Sequence, residues 1–338
     1  MVKNKKLLLG GSVVLLLFLL SLCYSLFLHE IIKDPPNAIY GPGHRLVDVP
    51  PYPPDRHHLL GVDRFGEDVF WKVIDGAKYT LMIALVVSSM RMGIGLFGGI
   101  LTVMFLHHFT FLIDSFIRAF RFVPAVMVAY IFFAAVKIDP DIPSQSLIAH
   151  QLLILGFIGG IPLTGHLATE MREFLQNDFI KCSQSLGAGK SWLIRKHILT
   201  FLRPRLIILF TRQVVQSLLI LVQLGVFQMV IGKVKELKIS DGISASGSVT
   251  LSLSNEWSGL IGLSYRELML DQWIVLGPSL AFVVTIYSFR LIEKGLEETV
   301  EKETNHFISF KKEEAVPESS GSLFTFTNRK INHSIREE

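Results

Sequence analysis

Six long apolar runs interrupt this chain of 338 residues, and they constrain its fold more than any motif does. A helix that crosses a bilayer takes about 20 apolar residues. Lipid offers no partner to backbone N–H and C=O groups, so such runs cross as helices. The first run, 7–28, follows Lys3, Lys5 and Lys6. It is too long for the apolar stretch of a signal peptide and no A-x-A site follows it, so it reads as a retained helix. The others lie at about 79–106, 119–136, 147–168, 206–231 and 272–292. Only 18% of the residues are charged, against roughly a quarter in soluble domains. The expected fold is all-α, a polytopic membrane protein of six transmembrane helices.

Loop charge sets the expected orientation, because basic residues gather on the cytoplasmic side. Residues 169–205 hold Arg172, Lys181, Lys190, Arg195, Lys196, Arg203 and Arg205 against Glu170, Glu173 and Asp178. The segments 29–78 and 232–271 are balanced or slightly acidic. Both termini are therefore expected inside a bacterial cell membrane. The net charge of +4 follows from these loops, and nucleic acid is not an expected partner. The organisation reads as an N-terminal tail and first helix (1–28), an external loop (29–78), a five-helix core (79–295) with a cytoplasmic loop at 169–205, and a polar cytoplasmic tail (296–338), expected to be largely disordered from about 305. Seven prolines between Pro35 and Pro54 favour extended backbone in the first loop. The stretch 63–78 after them is amphipathic.

The loop 169–205 contains "SQSLGAGKSW", which ends like a phosphate-binding P-loop. That motif needs a glycine five residues before Gly189, and the residue there is Gln184. It also follows a strand, whereas "EFLQNDFIKCSQSL" reads as helical. The nucleotide-site reading is set aside. Two helical pieces around a Gly187-Ala188-Gly189 corner make a basic surface loop or a docking element, and composition alone does not choose between them.

The same stretch resembles the permease subunits of binding-protein-dependent ABC importers, in the oligopeptide/dipeptide/nickel branch. The family pattern E-A-A-x-x-x-G-A falls on Lys181, Cys182, Ser183, Leu186, Gly187 and Ala188, and R-H-I-L-P on Lys196, His197, Ile198 and Leu199, with Pro204 further on. "LLGVDRFGEDVFWKVIDGAKYTL" (59–81) is similar to its F-G-T-D-x-x-G-R-D stretch. "NEWSGLIGLSYRELMLDQWIVLGPSLAF" (255–282) is similar to its P-x-W-G-x-M-L-x-x-G segment. The likeness covers about 59–295 in order. It departs at Lys181 for Glu, at Cys182 and Ser183 for Ala, and at Thr200 for Pro. It departs again at Val62 for Thr and at Glu67 for Arg.

The resemblance implies a type I ABC importer permease-like fold and a path for oligopeptides or similar small solutes. It implies four kinds of surroundings: a homologous second permease subunit, two ABC ATPase subunits, an extracellular substrate-binding protein and the lipid bilayer. It makes Gly187 the corner of an ATPase-coupling element, with Leu186, Ala188 and Trp192 as contacts. Loops 29–78 and 232–271 become candidates for touching the binding protein. The altered Lys181 surface fits either a matched ATPase or a subunit that senses peptide signals with weak transport. An intramembrane enzyme is the third reading, disfavoured because no catalytic carboxylate pair or metal-ligand set stands out.

Within the apolar runs, polar side chains draw attention because they face protein or water. In the fifth run Arg212, Gln216 and Gln223 fall within about 40° of one another on a helical wheel. They line a translocation path or glue helices together. Arg91 sits mid-helix in the second run, to attract a substrate carboxylate or to pair internally. Gly95 and Gly99, and Gly156 and Gly160, have G-x-x-x-G spacing for close helix approach. His57-His58 and His107-His108 lack further ligands at metal spacing. No cofactor is expected, and Cys23 and Cys182 are not expected to pair.

Overall fold

The computed structural model describes residues 4–32, 39–40, 46–136, 143–232, 234–241, 245–252 and 255–314. In chain order it comprises α1 (Lys5–Cys23, extended by a π turn Tyr24–Leu28), the two-stranded hairpin β1 (Ile39–Tyr40) and β2 (Leu46–Asp48), α2 (Val69–Met104), α3 (Thr110–Arg121), α4 (Ala125–Val136) and α5 (Ser144–Leu175). Then follow α6 (Asp178–Ser185), α7 (Lys190–Leu193), a π turn (Ile194–Ile198), α8 (Leu199–Val226), the antiparallel hairpin β3 (Val234–Asp241) and β4 (Ala245–Ser252), α9 (Trp257–Leu263) and α10 (Trp273–Glu314). The body is all-α and polytopic. The two hairpins stand in the loops 29–78 and 232–271.

Among the described residues, five helices are long and apolar enough to cross a membrane alone. The expected third crossing, 119–136, is not one helix. α3 and α4 meet at an angle of 85°, because Pro124 lacks an N–H and pushes the residue before it out of the helical region. The ends of the neighbouring helices decide what this bent pair does. Met104, at the end of α2, accepts a hydrogen bond from Lys190 Nζ (2.9 Å), at the end carrying loop 169–205. Gln151, near the start of α5, bonds the backbone of Val230 (3.2 Å) and Gly232 (2.8 Å), beyond the far end of α8. The chain between them has to return across the body, which makes the bent pair a broken crossing and brings the described helices to as many as six crossings. α4 alone, at about 18 Å, is shorter than the roughly 30 Å hydrocarbon layer.

α2 begins at Val69, ten residues before the expected span, because Asp68 caps it by accepting from the Phe70 N–H (2.8 Å). α8 stops at Val226 rather than at Ile231. α10 continues to Glu314, so residues 305–314 of the expected disordered tail are helical. The remainder of that expectation, 315–338, lies outside the described residues.

The G-x-x-x-G pairs act as the spacing predicts. A Cβ on Gly95 would lie 2.6 Å from Leu163 Cγ, and one on Gly160 2.7 Å from Ile94 Cγ2. Glycines on both helices thus let α2 and α5 approach along their length. At the end opposite loop 169–205, α9 is a buried plug. Glu256, fully buried, caps it by accepting from the Ser258 and Gly259 N–H groups (3.2 and 2.9 Å) and the Ser258 hydroxyl (2.6 Å). It also accepts from the Ile231 N–H (3.4 Å), which ties the end of α8 to α9. Burial pushes the Glu256 carboxyl up from its ordinary range, and these donors oppose that shift. At the same end His58 Nδ1 meets Asp68 at 2.8 Å. Among the described residues no group of three His, Cys, Asp or Glu side chains is arranged to hold a metal ion.

Candidate functional site

The loop 169–205 resolves into α6, a corner, and one helical run from Lys190 to Val226. The apparent helix through "EFLQNDFIKCSQSL" is broken at Gln176 and Asn177, between α5 and α6. α6 ends in a Schellman arrangement: the Gly187 N–H donates to Gln184 O (2.9 Å) and the Ala188 N–H to Ser183 O (3.0 Å). Gly187 takes φ +90°, a left-handed conformation that glycine adopts without a Cβ penalty. Nothing lies within 4 Å of a Cβ built there, so the corner stands free.

Around it the expected contact residues are presented outward. Leu186 is 89% exposed and Trp192 47%. Lys181 and Cys182 are exposed, whereas Ser183 and Ala188 are half-buried. Ser183 Oγ donates to Phe179 O (3.0 Å) and so supports α6 from within. Phe179 (52% exposed) was not singled out by sequence, although it flanks the same surface. Trp192 and Phe179 both set their rings edgewise against His197, at 4.9 and 5.9 Å.

Lys190, the would-be P-loop lysine, has a structural job. Its ammonium donates to Met104 O and lies over the Phe105 ring at 5.2 Å. A cation at the C-terminal carbonyls of α2 is favourable. Lys190→Met is therefore expected to cost about 1 kcal/mol of stability in thermal melts. Nucleotide binding by the chain that disappears in this variant would contradict the assignment.

The second region is one face of α8. Gln216 and Gln223 are exposed, as are Leu219 (40%) and Val226 (53%) between and beyond them. Arg212 belongs to the same stripe but is paired: its Nε donates to Glu293 (2.8 Å) and its Nη2 to Glu297 (3.3 Å), both on α10. Arg290 also donates to Glu293 (2.8 Å). With Lys294 these groups line an open cavity of about 290 Å³. The acidic partners escaped the sequence reading, although their i, i+4 spacing beyond the last apolar run was a legible signal. α10 also holds α1 at this end: Asn4 Nδ2 donates to Gly295 O (2.9 Å) and Lys6 pairs with Glu298.

Arg91 is not on that exposed stripe. It is 1% exposed, with Nε donating to Leu155 O at 3.1 Å. Arg91 and the α8 stripe are therefore separate in this conformation.

No protein-family model matches the chain. It is similar to the probable D,D-dipeptide transport system permease protein of Escherichia coli (strain K12), at 23% identity over 304 residues covering 89% of each chain. It is also similar to the dipeptide transport system permease protein of Alkalihalophilus pseudofirmus, at 20% identity over 88% of this chain and 86% of that one. A glutathione transport system permease protein of Escherichia coli O6:K15:H31 shares 22% identity over 73% of each. These relatives are permease proteins of peptide transport systems, and the described helices of this chain fit a multi-pass membrane protein like them.

Proposed function

We propose that this chain forms half of the translocation path of an ATP-driven importer for short peptides or similar small solutes, in a bacterial cytoplasmic membrane. A homologous permease would face the exposed stripe of α8, so that Gln216 and Gln223 offer amide donors and acceptors to a peptide backbone. Two ATPase subunits would dock at the Gly187 corner, and an external binding protein would deliver cargo to the loops 29–78 and 232–271. The basic charge of 169–205 supports placing that loop, and with it both termini, in the cytoplasm. ATP would be hydrolysed in the partner chains, with this chain supplying the mechanical link.

The observation that carries the reading is continuity. The exposed corner and the exposed polar stripe sit at the two ends of a single helical run, Lys190–Val226. A partner that pulls on one end can displace the other, because the run stays helical through its π turn (Ile194–Ile198) and Pro204. The relatives' names support a peptide cargo. The test is uptake of labelled di- and tripeptides into vesicles carrying the assembled transporter. Gln216→Leu with Gln223→Leu is expected to cut uptake about tenfold, the loss of one to two hydrogen bonds, while leaving the amount of bound ATPase unchanged. Undiminished peptide uptake in the double variant would overturn the path assignment.

A further inference from the structure

Among the described residues seven buried side-chain polar atoms have no partner, and two of them, on α2 and α8, are chemically complementary. Arg91, 1% exposed, uses Nε on Leu155 O but leaves its Nη2 without an acceptor. Gln213, 5% exposed, leaves its Oε1 without a donor. A polar group buried without a partner destabilises the conformation that leaves it so.

Helix register puts the two at one depth. Ser88 Oγ on α2 and Ser217 Oγ on α8 lie 3.2 Å apart. The helices run in opposite directions, since α2 ends and α8 begins at the coupling-loop end. Arg91 lies three residues beyond Ser88, about 4.5 Å nearer that end, and Gln213 lies four residues before Ser217, about 6 Å nearer it. These i+3 and i−4 steps keep each residue close to the face that carries its serine. The guanidinium is parked against α5: a Cβ on Gly159 would lie 2.1 Å from Arg91 Nε, so only a glycine leaves it room.

We propose that Arg91 and Gln213 are the two halves of a buried hydrogen-bond switch. In the conformation described here the bond is open and the arginine leans on Leu155 O and Gly159. When the coupling loop moves, α8 moves with it, because Lys190–Val226 is one helical run, and Nη2 then donates to Gln213 Oε1. The switch biases transport through a contact present in one state and absent in the other. It rests on the coupled-permease reading above, and it gives Arg91 a role inside the protein rather than on the cargo.

The test measures α2–α8 distances by spin labels on Phe97→Cys and Ile207→Cys, both exposed positions, with Cys23 and Cys182 replaced by alanine. The assembled complex is compared in lipid discs without nucleotide and trapped with ATP and vanadate. Two distance populations are expected. Gln213→Leu should lower the ratio of moved to resting population in the trapped complex about tenfold, the worth of one hydrogen bond to a charged group. It should also leave the resting protein as stable or more so, since an orphaned amide is removed. Gln213→Glu should raise the ratio. If both variants leave the populations unchanged, or if α8 does not move with ATPase bound, the switch is wrong and the permease reading stands. If no ATPase associates with the wild-type chain, the coupled-permease reading falls first and the switch with it.

Discussion

Trp257→Ala is expected to lower the unfolding free energy by about 3–5 kcal/mol, the range for removing a buried large aromatic. Trp257 is fully buried and fixes the plug helix α9 to two long helices. Its Nε1–H donates to Val73 O at 2.8 Å and its backbone N–H to Thr80 Oγ1 at 3.0 Å, both on α2. Its ring meets Phe282 of α10 edge-on at 5.2 Å. The approach is close enough that a Cβ on Gly76 would lie 2.0 Å from Asn255 O, just before α9. Trp257→Phe keeps most of the buried area and should cost far less. Thermal unfolding in detergent separates the variants. A Trp257→Ala protein that melts with the wild type would show that α9 is not part of the cooperative body.

The second large effect falls on function rather than stability. Gly187→Val places a β-branched residue at φ +90°, a left-handed conformation that costs an L-residue about 1–2 kcal/mol or more. No neighbour stands within 4 Å of the new Cβ, so the whole cost is backbone strain. The corner relieves it by opening the bonds from Gly187 and Ala188 to Gln184 and Ser183, which re-aims Leu186. On the coupling proposal, ATPase recovery with Gly187→Val should fall by tenfold or so, with the melting temperature of the membrane body unchanged. Gly187→Asn tolerates the same φ and should keep most of the complex. Equal recovery with valine and asparagine would remove Gly187 from the docking surface.

Much of this was legible in the sequence, for reasons that can be stated residue by residue. Length and apolarity revealed the spans because a bilayer admits few solutions for the backbone. The corner was legible because Gly187 and Gly189 between two periodic stretches mark a turn. Pro124 marked a kink in the third run, but the path of the bent pair was not legible, because hydropathy has no direction: "AFRFVPAVMVAYIFFAAV" is largely apolar on both sides of Pro124, and the positions of Met104 and Gln151 are what send it back across. The wheel brought Arg212, Gln216 and Gln223 to one face, but it could not show that Glu293 and Glu297 of a distant helix neutralise the first. Nor could it separate Arg91 from that face, since burial depends on which helix lies alongside. Lys190 was misleading for the opposite reason: three consecutive letters carried a motif whose chemistry needs a strand and a glycine that the chain does not have.

The most direct measurement is purification of the chain from its native membrane in mild detergent, with and without ATP and vanadate, followed by identification of what remains bound. Coupling through the Gly187 corner predicts a P-loop ATPase in the complex, retained in a nucleotide-sensitive way and lost in Gly187→Val. A chain that purifies without any ATPase and itself binds ATP would contradict both the coupling loop and the dismissal of its P-loop-like letters.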